Sequence, residues 1–383
     1  MHHATLSRSI LAVCAAAALQ PCPAHAGDDA AYWQSGKPDV PAAYADWMAD
    51  LDDSGRLQDL SLPGTHDSLS TNAKRPLGIE DHDAPSVALL PPVVRQIART
   101  QGMSLLEQLE AGVRVLDIRL KLEDDQLRAY HGVLPLSPDF PGVLRTVGGF
   151  LDAHPRETVL MRVRSEQSTS GSTLDFDAAV ARDLQVWGGA HVWYPSTGDP
   201  ILAETRGRIV VLQDYAGAEV GLPYAAAHIQ DDYELRNIWS AYAKWEKVKA
   251  QFKAAAAGRG RGFYINYLSG SNAHGVVFPY FVAGGRVHDY ADDAPHLPTG
   301  LLAPPATSMY PDYPRDHCFV DVCMIMFEGT NELAGEYLQQ HWPAFTGIVM
   351  ADFPGGDLIK SVLAANAFMH GAPPARVSPA ARW

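Results

Sequence analysis

The feature of this sequence that most constrains its fold is a recurring, strand-length apolar run that ends in polar or reactive side chains. The runs are, in chain order, LQDLSLPGTHD, GVRVLDIRLK, LRAYHG, ETVLMRVRSEQ, GRIVVLQDY, AAHIQDDY, GFYINYLSG and TGIVMADFPG. Several are β-branched and apolar at successive positions, which is typical of strands covered by helices on the outside. The pattern therefore predicts a sheet that carries its polar groups at the carboxyl ends of its strands.

Amphipathic segments between several of these runs predict helices. The segment Met103–Gly112 has leucines at helical spacing and a glycine as a stop, and Arg236–Gly258 carries one apolar face. A third, SPDFPGVLRTVGGFLDAHP, precedes the run that begins near Thr158. Alternation of this kind fits a doubly wound sheet as well as a (β/α) barrel. Reactive side chains at the ends of so many strands favour the barrel, whose active site forms from the loops after the strands.

The chain is longer than a barrel requires. A (β/α) barrel takes roughly 250 residues, and the chain has 383, of which 47% are hydrophobic and 19% charged. We expect one α/β domain over residues 27–368, a distorted (β/α) TIM-type barrel with long loop insertions. The stretches Pro76–Pro92 and Gly284–Asp316 lack periodicity and are predicted to be such insertions. Residues 369–383 are expected to form a flexible tail.

The first 26 residues have the pattern of a secretory signal peptide. Arg8 precedes an apolar run that ends in Ala24-His25-Ala26, a small-x-small cleavage site. The alternative is an N-terminal helix of the fold. No later segment approaches the roughly 20 apolar residues of a membrane span. We therefore expect a secreted or periplasmic protein.

Charge and cysteine content limit the partners. The net charge is −14, and removal of Arg8 with the signal segment would make the remainder more acidic. This argues against binding to nucleic acid and against adsorption driven by anionic lipid charge, and no protein partner is evident. Cys318 and Cys323 would remain after cleavage, either as a disulfide or as two buried thiols, and are too sparse for a zinc site.

Four short motifs at the ends of the runs carry possible chemistry. They are Gly64-Thr65-His66-Asp67-Ser68, Asp117-Ile118-Arg119, Tyr130-His131-Gly132 and Met350-Ala351-Asp352-Phe353. Each is weak by itself, because a strand-end histidine is usually structural or solvated and Asp-x-Arg is usually a local salt bridge. In a closed barrel, however, the motifs would converge on one cavity.

Two histidines and one arginine in one cavity suit phosphoryl transfer to a hydroxyl neighbouring the phosphate. One imidazole takes the hydroxyl proton, the other protonates the leaving oxygen, and the guanidinium neutralises charge on the non-bridging oxygens. Asp67 and Asp352 are available to fix the tautomers of the two histidines.

With these motifs in their order, the sequence resembles the X-domain of bacterial phosphatidylinositol-specific phospholipase C. The resemblance rests on SLPGTHDS, GVRVLDIRL, a His-Gly, ETVLMRVRSE, GRIVVLQDYAG, IQDDYEL, YINY and IVMADF. It runs from about Trp47 to Ala365 and is dense from Leu60 to Gly217. It implies a small, distorted (β/α) barrel that cleaves phosphatidylinositol to diacylglycerol and a cyclic inositol phosphate.

The resemblance also implies roles for individual residues. His66 matches the general base, with Asp352 as its orienting partner, and His131 matches the general acid, paired with Asp67. Arg119 matches the phosphate-binding arginine of the metal-independent branch, where a guanidinium does electrostatically what a cation does elsewhere. We therefore expect a phosphoric diester lyase without a cofactor or a metal.

The head-group pocket matches this family less closely. Arg164 falls where the family has a lysine, and Asp231 and Tyr233 match a hydroxyl-binding carboxylate and a stacking tyrosine. Asp214 falls where the family has an inositol-binding arginine, which reverses a charge, unless it is a surface residue on a shifted turn.

Alternatives for the function remain open. The same chemistry could act on another phosphodiester head group, or the barrel could be a non-catalytic lipid- or phosphate-binding module. A metal-dependent glycerophosphodiesterase is disfavoured because no Glu-x-Asp metal pair follows closely after the first-strand histidine, His66. For access to phospholipid at a membrane interface, Val276–Phe281 and Val87–Val94 could form an apolar rim, or pack over the barrel.

Overall fold

The protein is described here from a computed structural model, which describes residues 44–71, 98–196, 198–272, 277–288, 294–304 and 306–366. The predicted signal segment and tail, the insertion Pro76–Pro92 and the apolar stretch Val87–Val94 lie outside these ranges. In the described ranges no helix is both long and apolar enough to cross a bilayer.

The core of the fold is a mostly parallel sheet of eleven strands, and a three-stranded antiparallel sheet lies in an insertion. The strands are β1 (Leu62–Thr65), β2 (Val115–Glu123), β3 (Gln126–His131), β4 (Leu134–Pro135), β5 (Thr158–Ser165), β6 (Val192–Trp193), β7 (Arg208–Asp214), β8 (Leu222–Pro223), β9 (His228–Gln230), β10 (Tyr264–Tyr267), β11 (Pro298–Ala303), β12 (Arg315–Phe319), β13 (Val322–Met326) and β14 (Ile348–Ala351).

Helices alternate with the strands, as the sequence predicts. They are α1 (Leu105–Glu110), α2 (Phe140–Ala153), α3 (Phe176–Asp183), α4 (Leu202–Thr205), α5 (Ser240–Gly258), α6 (Pro279–Gly284), α7 (Thr330–His341) and α8 (Gly356–Ala364). Short 3-10 turns lie at Leu57–Asp59, Gly189–His191, Tyr224–Ala226 and Ala306–Ser308, and a π turn at Leu184–Gly188. The helix predicted over Met103–Gly112 is shorter at both ends. It begins after Ser104, because Ser104 caps α1 in a reciprocal hydrogen-bonded box with Glu107.

The main sheet has the strand order β6-β7-β5-β2-β1-β14-β10-β9 and curls into a distorted TIM-type barrel. Among the described strands, backbone hydrogen bonds do not join β9 to β6 or to β8, which pairs with β7, so the barrel is open at this point. Side chains cross the gap: the hydroxyls of Tyr224, after β8, and Tyr267, on β10, are 2.8 Å apart. The prediction of a distorted barrel is confirmed, while its closure depends on side chains.

The barrel interior is layered because side chains alternate along each strand. An apolar layer fills the half of the barrel at the amino ends of the strands, with Leu62, Val115, Leu160, Val210 and Ile348 in one buried cluster. Two residues further along β2 and β5, the charged residues Asp117 and Arg162 replace apolar side chains, while β1, β7 and β14 carry Gly64, Leu212 and Met350 at the corresponding positions. The buried charged side chains therefore lie above this apolar layer, towards the carboxyl ends of the strands.

A second apolar cluster ties the insertion after β10 to the barrel. It joins Tyr242 and Trp245 of α5 to Tyr313, Ile325 and Phe327 of the insertion. The predicted insertion Gly284–Asp316 thus contains β11 and part of β12, and Tyr280 and Phe281 of the expected rim Val276–Phe281 are buried in this cluster. For those side chains the packing interpretation, rather than lipid contact, is correct.

Candidate active site

The first histidine, His66, follows β1 directly and lies against Asp352, which follows the neighbouring strand β14. The His66 Nδ1 to Asp352 Oδ1 distance is 2.8 Å, and Asp352 is buried. Burial, and then the Arg119 guanidinium, hold the pKa of His66 well below its ordinary value. Burial, and then Asp67, raise the pKa of Asp352 well above its ordinary value. The environment therefore keeps His66 neutral, which is the form that a general base requires.

The second histidine, His131, reaches the same cavity by a different route from the predicted one. Its strand β3 is antiparallel to β2, so a hairpin folds back over the end of the barrel. His131 Nδ1 is 2.7 Å from the carbonyl oxygen of Ala98, and its Nε2 is 3.3 Å from Asp67 Oδ2. A carbonyl can only accept a hydrogen bond, so Nδ1 carries a proton, and Asp67 faces the other ring nitrogen. Burial raises the pKa of Asp67.

Arg119 lies between the carboxylates of the cavity. Its Nη2 donates to Asp117 Oδ2 at 2.9 Å, and its Nη1 is 3.3 Å from Asp67 Oδ2 and 3.7 Å from Glu166 Oε1. Glu166 also accepts a hydrogen bond from the backbone N–H of Gly132, next to His131. The sequence predicts Arg119 but misses Glu166, which fixes the His131 turn relative to the guanidinium.

Asp117 joins two guanidinium groups. Its Oδ2 accepts from Arg119, and its Oδ1 accepts from Arg162 Nη1 at 3.1 Å. Although burial opposes ionisation, these two arginines hold the pKa of Asp117 well below its ordinary value. Arg162 is 4% exposed and was missed by sequence reasoning, although its inward position could be read from the alternation in ETVLMRVRSEQ.

The charge reversal at Asp214 is explained by Arg162. Arg162 donates from Nε and Nη2 to Asp214 Oδ2, at 3.0 and 2.6 Å, and from Nη1 to the Tyr267 hydroxyl at 3.0 Å. Asp214 is the last residue of β7, so the interpretation of a surface residue on a shifted turn is wrong. A carboxylate there is neutralised by an arginine from the neighbouring strand β5.

The other expected head-group residues lie at the rim. The Arg164 side chain is 41% exposed, with its Nε 3.5 Å from Glu166 Oε2. Asp231 and Tyr233 are exposed in the loop after β9. Beneath this loop Lys244 of α5 is 1% exposed and donates to Gln230 Oε1 at 3.2 Å.

The backbone directly after His66 and directly after Asp352 is held in an unusual conformation. Asp67 and Phe353, the residues after His66 and Asp352, both have φ of 46°, in the left-handed region that non-glycine residues seldom adopt. Gln101 donates from Nε2 to the carbonyls of His66 and Ala351, at 2.7 and 3.1 Å. These bonds hold together the turns that follow β1 and β14.

One group among the described residues has the composition of a metal site. Ligand atoms of His296, Glu328 and Glu332, in the insertion and at the start of α7, lie within 4.8 Å of one another. Arg286 Nη2 donates to Glu332 Oε1 at 2.8 Å, so a guanidinium already compensates this cluster. In the cavity itself, the carboxylates of Asp67 and Asp117 likewise face Arg119 rather than one another.

The fold and the site together define an open (β/α) barrel enzyme with a pair of histidines and a guanidinium arranged around a site for an anionic group. The family model "Phosphatidylinositol-specific phospholipase C, X domain" matches residues 92–213. A 1-phosphatidylinositol phosphodiesterase of Listeria monocytogenes is 30% identical over 240 residues, which are 59% of this chain and 68% of that relative. The chain belongs to the phosphatidylinositol-specific phospholipase C X-domain family, as the sequence motifs predict.

Other comparisons agree with this assignment. A 1-phosphatidylinositol phosphodiesterase of Staphylococcus aureus is 27% identical over 185 residues, 47% of this chain and 54% of that relative. The solved phospholipase C of L. monocytogenes matches with a TM-score of 0.57 at 24% identity, over 84% of this chain and 98% of the other. A solved S. aureus structure described in terms of modulated membrane binding matches with a TM-score of 0.56 at 20% identity, over 83% and 97%. These structures support the barrel fold.

Proposed function

We propose that this chain is a metal-independent phosphatidylinositol phospholipase C that releases diacylglycerol and a cyclic inositol phosphate. The observation that carries the proposal is one cluster in which His66 pairs with Asp352, His131 lies beside Asp67, and Arg119 contacts Asp67 and lowers the pKa of His66. The family membership supplies the substrate class.

In this mechanism His66 removes the proton from the hydroxyl next to the phosphate. The oxygen attacks phosphorus, a ring forms, and the bond to the diacylglycerol oxygen breaks. His131, paired with Asp67, donates a proton to that leaving oxygen. Arg119 stabilises the charge on the non-bridging oxygens. Arg164, Asp231 and Tyr233 are assigned to the head group at the rim.

Export and a membrane-interface substrate are part of the proposal. The signal-like segment 1–26 supports export, and so does the disulfide between Cys318 and Cys323, because disulfides persist in oxidising compartments. Periplasmic and secreted locations both satisfy these observations.

The experiment is turnover of phosphatidylinositol in the presence of a chelator, with the cyclic product followed by ³¹P NMR. His66→Ala and His131→Ala should each lower kcat by about 10²- to 10⁴-fold, the usual contribution of a general base or acid. The matched control is His154→Ala, because His154 also pairs with an aspartate, at 2.7 Å from Asp46, but away from the cavity.

The control should retain activity, and circular dichroism should show all three variants folded. Wild-type turnover that is abolished by the chelator would contradict the metal-independent mechanism. Binding of phosphatidylinositol without any turnover would instead identify a non-catalytic barrel.

The same chemistry on a differently substituted head group is the second candidate, because Asp214 stands at the expected position of an inositol-binding arginine. All hydrogen bonds that the described residues make to its carboxylate reach Oδ2, and the side chain is 29% exposed. A head-group panel of phosphodiesters, compared by kcat/KM, separates the two candidates.

A further inference from the structure

The tip of the β12–β13 hairpin exposes large apolar side chains to solvent. Phe319 is 82% exposed, Val320 80% and Val322 44%, and Phe319 pairs with Val322 across the hairpin. A disulfide between Cys318 and Cys323 closes the hairpin on both sides of these residues. Side chains this exposed add little packing to the fold, so their apolar character needs another explanation.

The backbone of the tip makes the choice of residue more unusual. Val320 has a φ of 55°, in the left-handed region where asparagine or glycine is favoured and a β-branched residue is strained. A tip selected only to turn the chain would carry one of those residues. The disulfide holds the tip in this conformation, so the apolar side chains remain presented outward.

The insertion that carries the hairpin is attached at the active-site end of the barrel. Its insertion begins after the carboxyl end of β10, where the N–H of Leu268 donates to the carbonyl of Met350. It returns at α7, where Thr330 Oγ1 donates to the carbonyl of Leu268 at 2.9 Å and Asn331 Nδ2 to that of Asp352 at 2.8 Å. Asp352 is the partner of His66, so both ends of the insertion are attached beside the catalytic pair.

We propose that the disulfide-closed tip, Phe319 and Val320, inserts into the head-group region of a zwitterionic lipid bilayer and so brings the barrel mouth to its lipid substrate. The inference rests on the proposed function, which requires a bilayer lipid to reach the cavity. The tip is flanked by Asp316 and Asp321 as well as by Arg315 and His317, and the net charge of −14 opposes adsorption to anionic lipid. Apolar insertion is therefore the remaining driving force for binding at this surface.

The test compares the wild type with the double variant Phe319→Ser and Val320→Asn, which removes apolar surface and puts a residue suited to positive φ at position 320. One measurement is co-sedimentation with phosphatidylcholine vesicles that contain no phosphatidylinositol, at low and high salt. The second is turnover of a short-chain phosphatidylinositol below its critical micelle concentration. The matched control is Val186→Ser, in the π turn Leu184–Gly188, where the side chain is 63% exposed.

The double variant should lose at least about tenfold in vesicle partitioning, the expected result of removing a Phe and a Val contact with lipid. Its turnover of the soluble substrate should equal that of the wild type, and the control should match the wild type in both measurements. Wild-type binding should persist at high salt. Cys318→Ser with Cys323→Ser should weaken vesicle binding and leave soluble turnover intact.

Unchanged vesicle partitioning in the double variant overturns the inference. Equal losses on vesicles and on the soluble substrate also overturn it, because the change would then act on the barrel. Loss of self-association without loss of vesicle binding identifies the tip as a contact between copies, which is again contrary to the inference. Failure of the wild type to cleave either substrate contradicts the proposed function itself.

Discussion

At the scale of single residues, the site is organised around charges that neutralise one another in pairs. Asp117 has one oxygen on Arg119 and the other on Arg162, and Arg162 also reaches Asp214 and the Tyr267 hydroxyl. Taking either partner from a buried pair leaves a desolvated charge, which is more costly than the pair is stabilising. The orientation of Arg119 therefore depends, through Asp117, on Arg162, which would not contact the substrate phosphate.

The Arg162–Asp214 pair gives a prediction at this scale. Arg162→Met should lower the free energy of unfolding by about 3 kcal/mol, because Asp117 and Asp214 both lose a partner. Asp214→Asn should cost less, since Asp214 is partly exposed and bonds to Arg162 alone among the described residues. Urea unfolding of both single variants and the double variant should give a coupling energy of about 1 kcal/mol or more.

Arg164→Met is the matched control for this cycle, because Arg164 is two residues further along β5 and is 41% exposed. It should change the free energy of unfolding by less than about 0.5 kcal/mol. A coupling energy near zero between positions 162 and 214 would contradict the pairing.

At the scale of elements, the strand that presents His66 is held very close to its neighbours. A Cβ on Gly64 would lie 2.4 Å from Met350 Sδ on β14 and 3.0 Å from Val115 Cβ on β2. Such distances are below van der Waals contact. A glycine in the motif Gly64-Thr65-His66 is therefore required for the spacing of three adjacent strands, and with it the spacing of His66 and Asp352.

Gly64→Ala is accordingly expected to destabilise the protein by about 1–3 kcal/mol, the usual cost of overpacking a core. It should also lower kcat, because a displaced β1 separates His66 from Asp352. The control is Gly149→Ala on an exposed face of α2, where a Cβ has nothing within 4 Å. That change should be neutral or slightly stabilising, since alanine favours a helix. Thermal unfolding of the two variants provides the measurement, and equal shifts would refute the crowding explanation.

At the scale of the whole molecule, Lys244 is a buried charge that lowers the stability of the fold and lies beside the loop that carries Asp231. Burial lowers the pKa of Lys244 from 10.5 to about 8, so a charge is kept in the interior at neutral pH. Its hydrogen bond to Gln230, which also bonds to Asn266 and to the N–H of Asp232, ties α5 to the loop that carries Asp231. The protein thus retains an unfavourable buried charge beside its expected head-group loop.

Lys244→Met should therefore raise the free energy of unfolding at pH 7 by about 3 kcal/mol, because the pKa falls from 10.5 to about 8 and each unit corresponds to about 1.4 kcal/mol. Between about pH 8 and 10.5 the unfolded wild type binds more protons than the folded one, so wild-type stability from this group rises across that window. The advantage of the variant should shrink accordingly. Guanidinium unfolding at several pH values measures it, with the exposed Lys247→Met as the control on the same helix. An advantage that does not change with pH would contradict the buried-charge explanation.

The sequence by itself predicted the strands, the barrel class and the motifs that carry the candidate site residues, because apolar periodicity and strand-end histidines are local signals. The roles of His66, His131, Asp67, Arg119, Asp352 and the rim residues remain proposals, although the structure brings the first five together. Only the tertiary structure decided the pairing of Arg162 with Asp214, the antiparallel approach of His131 and the exposure of Phe319. Each of these depends on which strand lies beside which, and strand order arises from the packing of segments far apart in the chain.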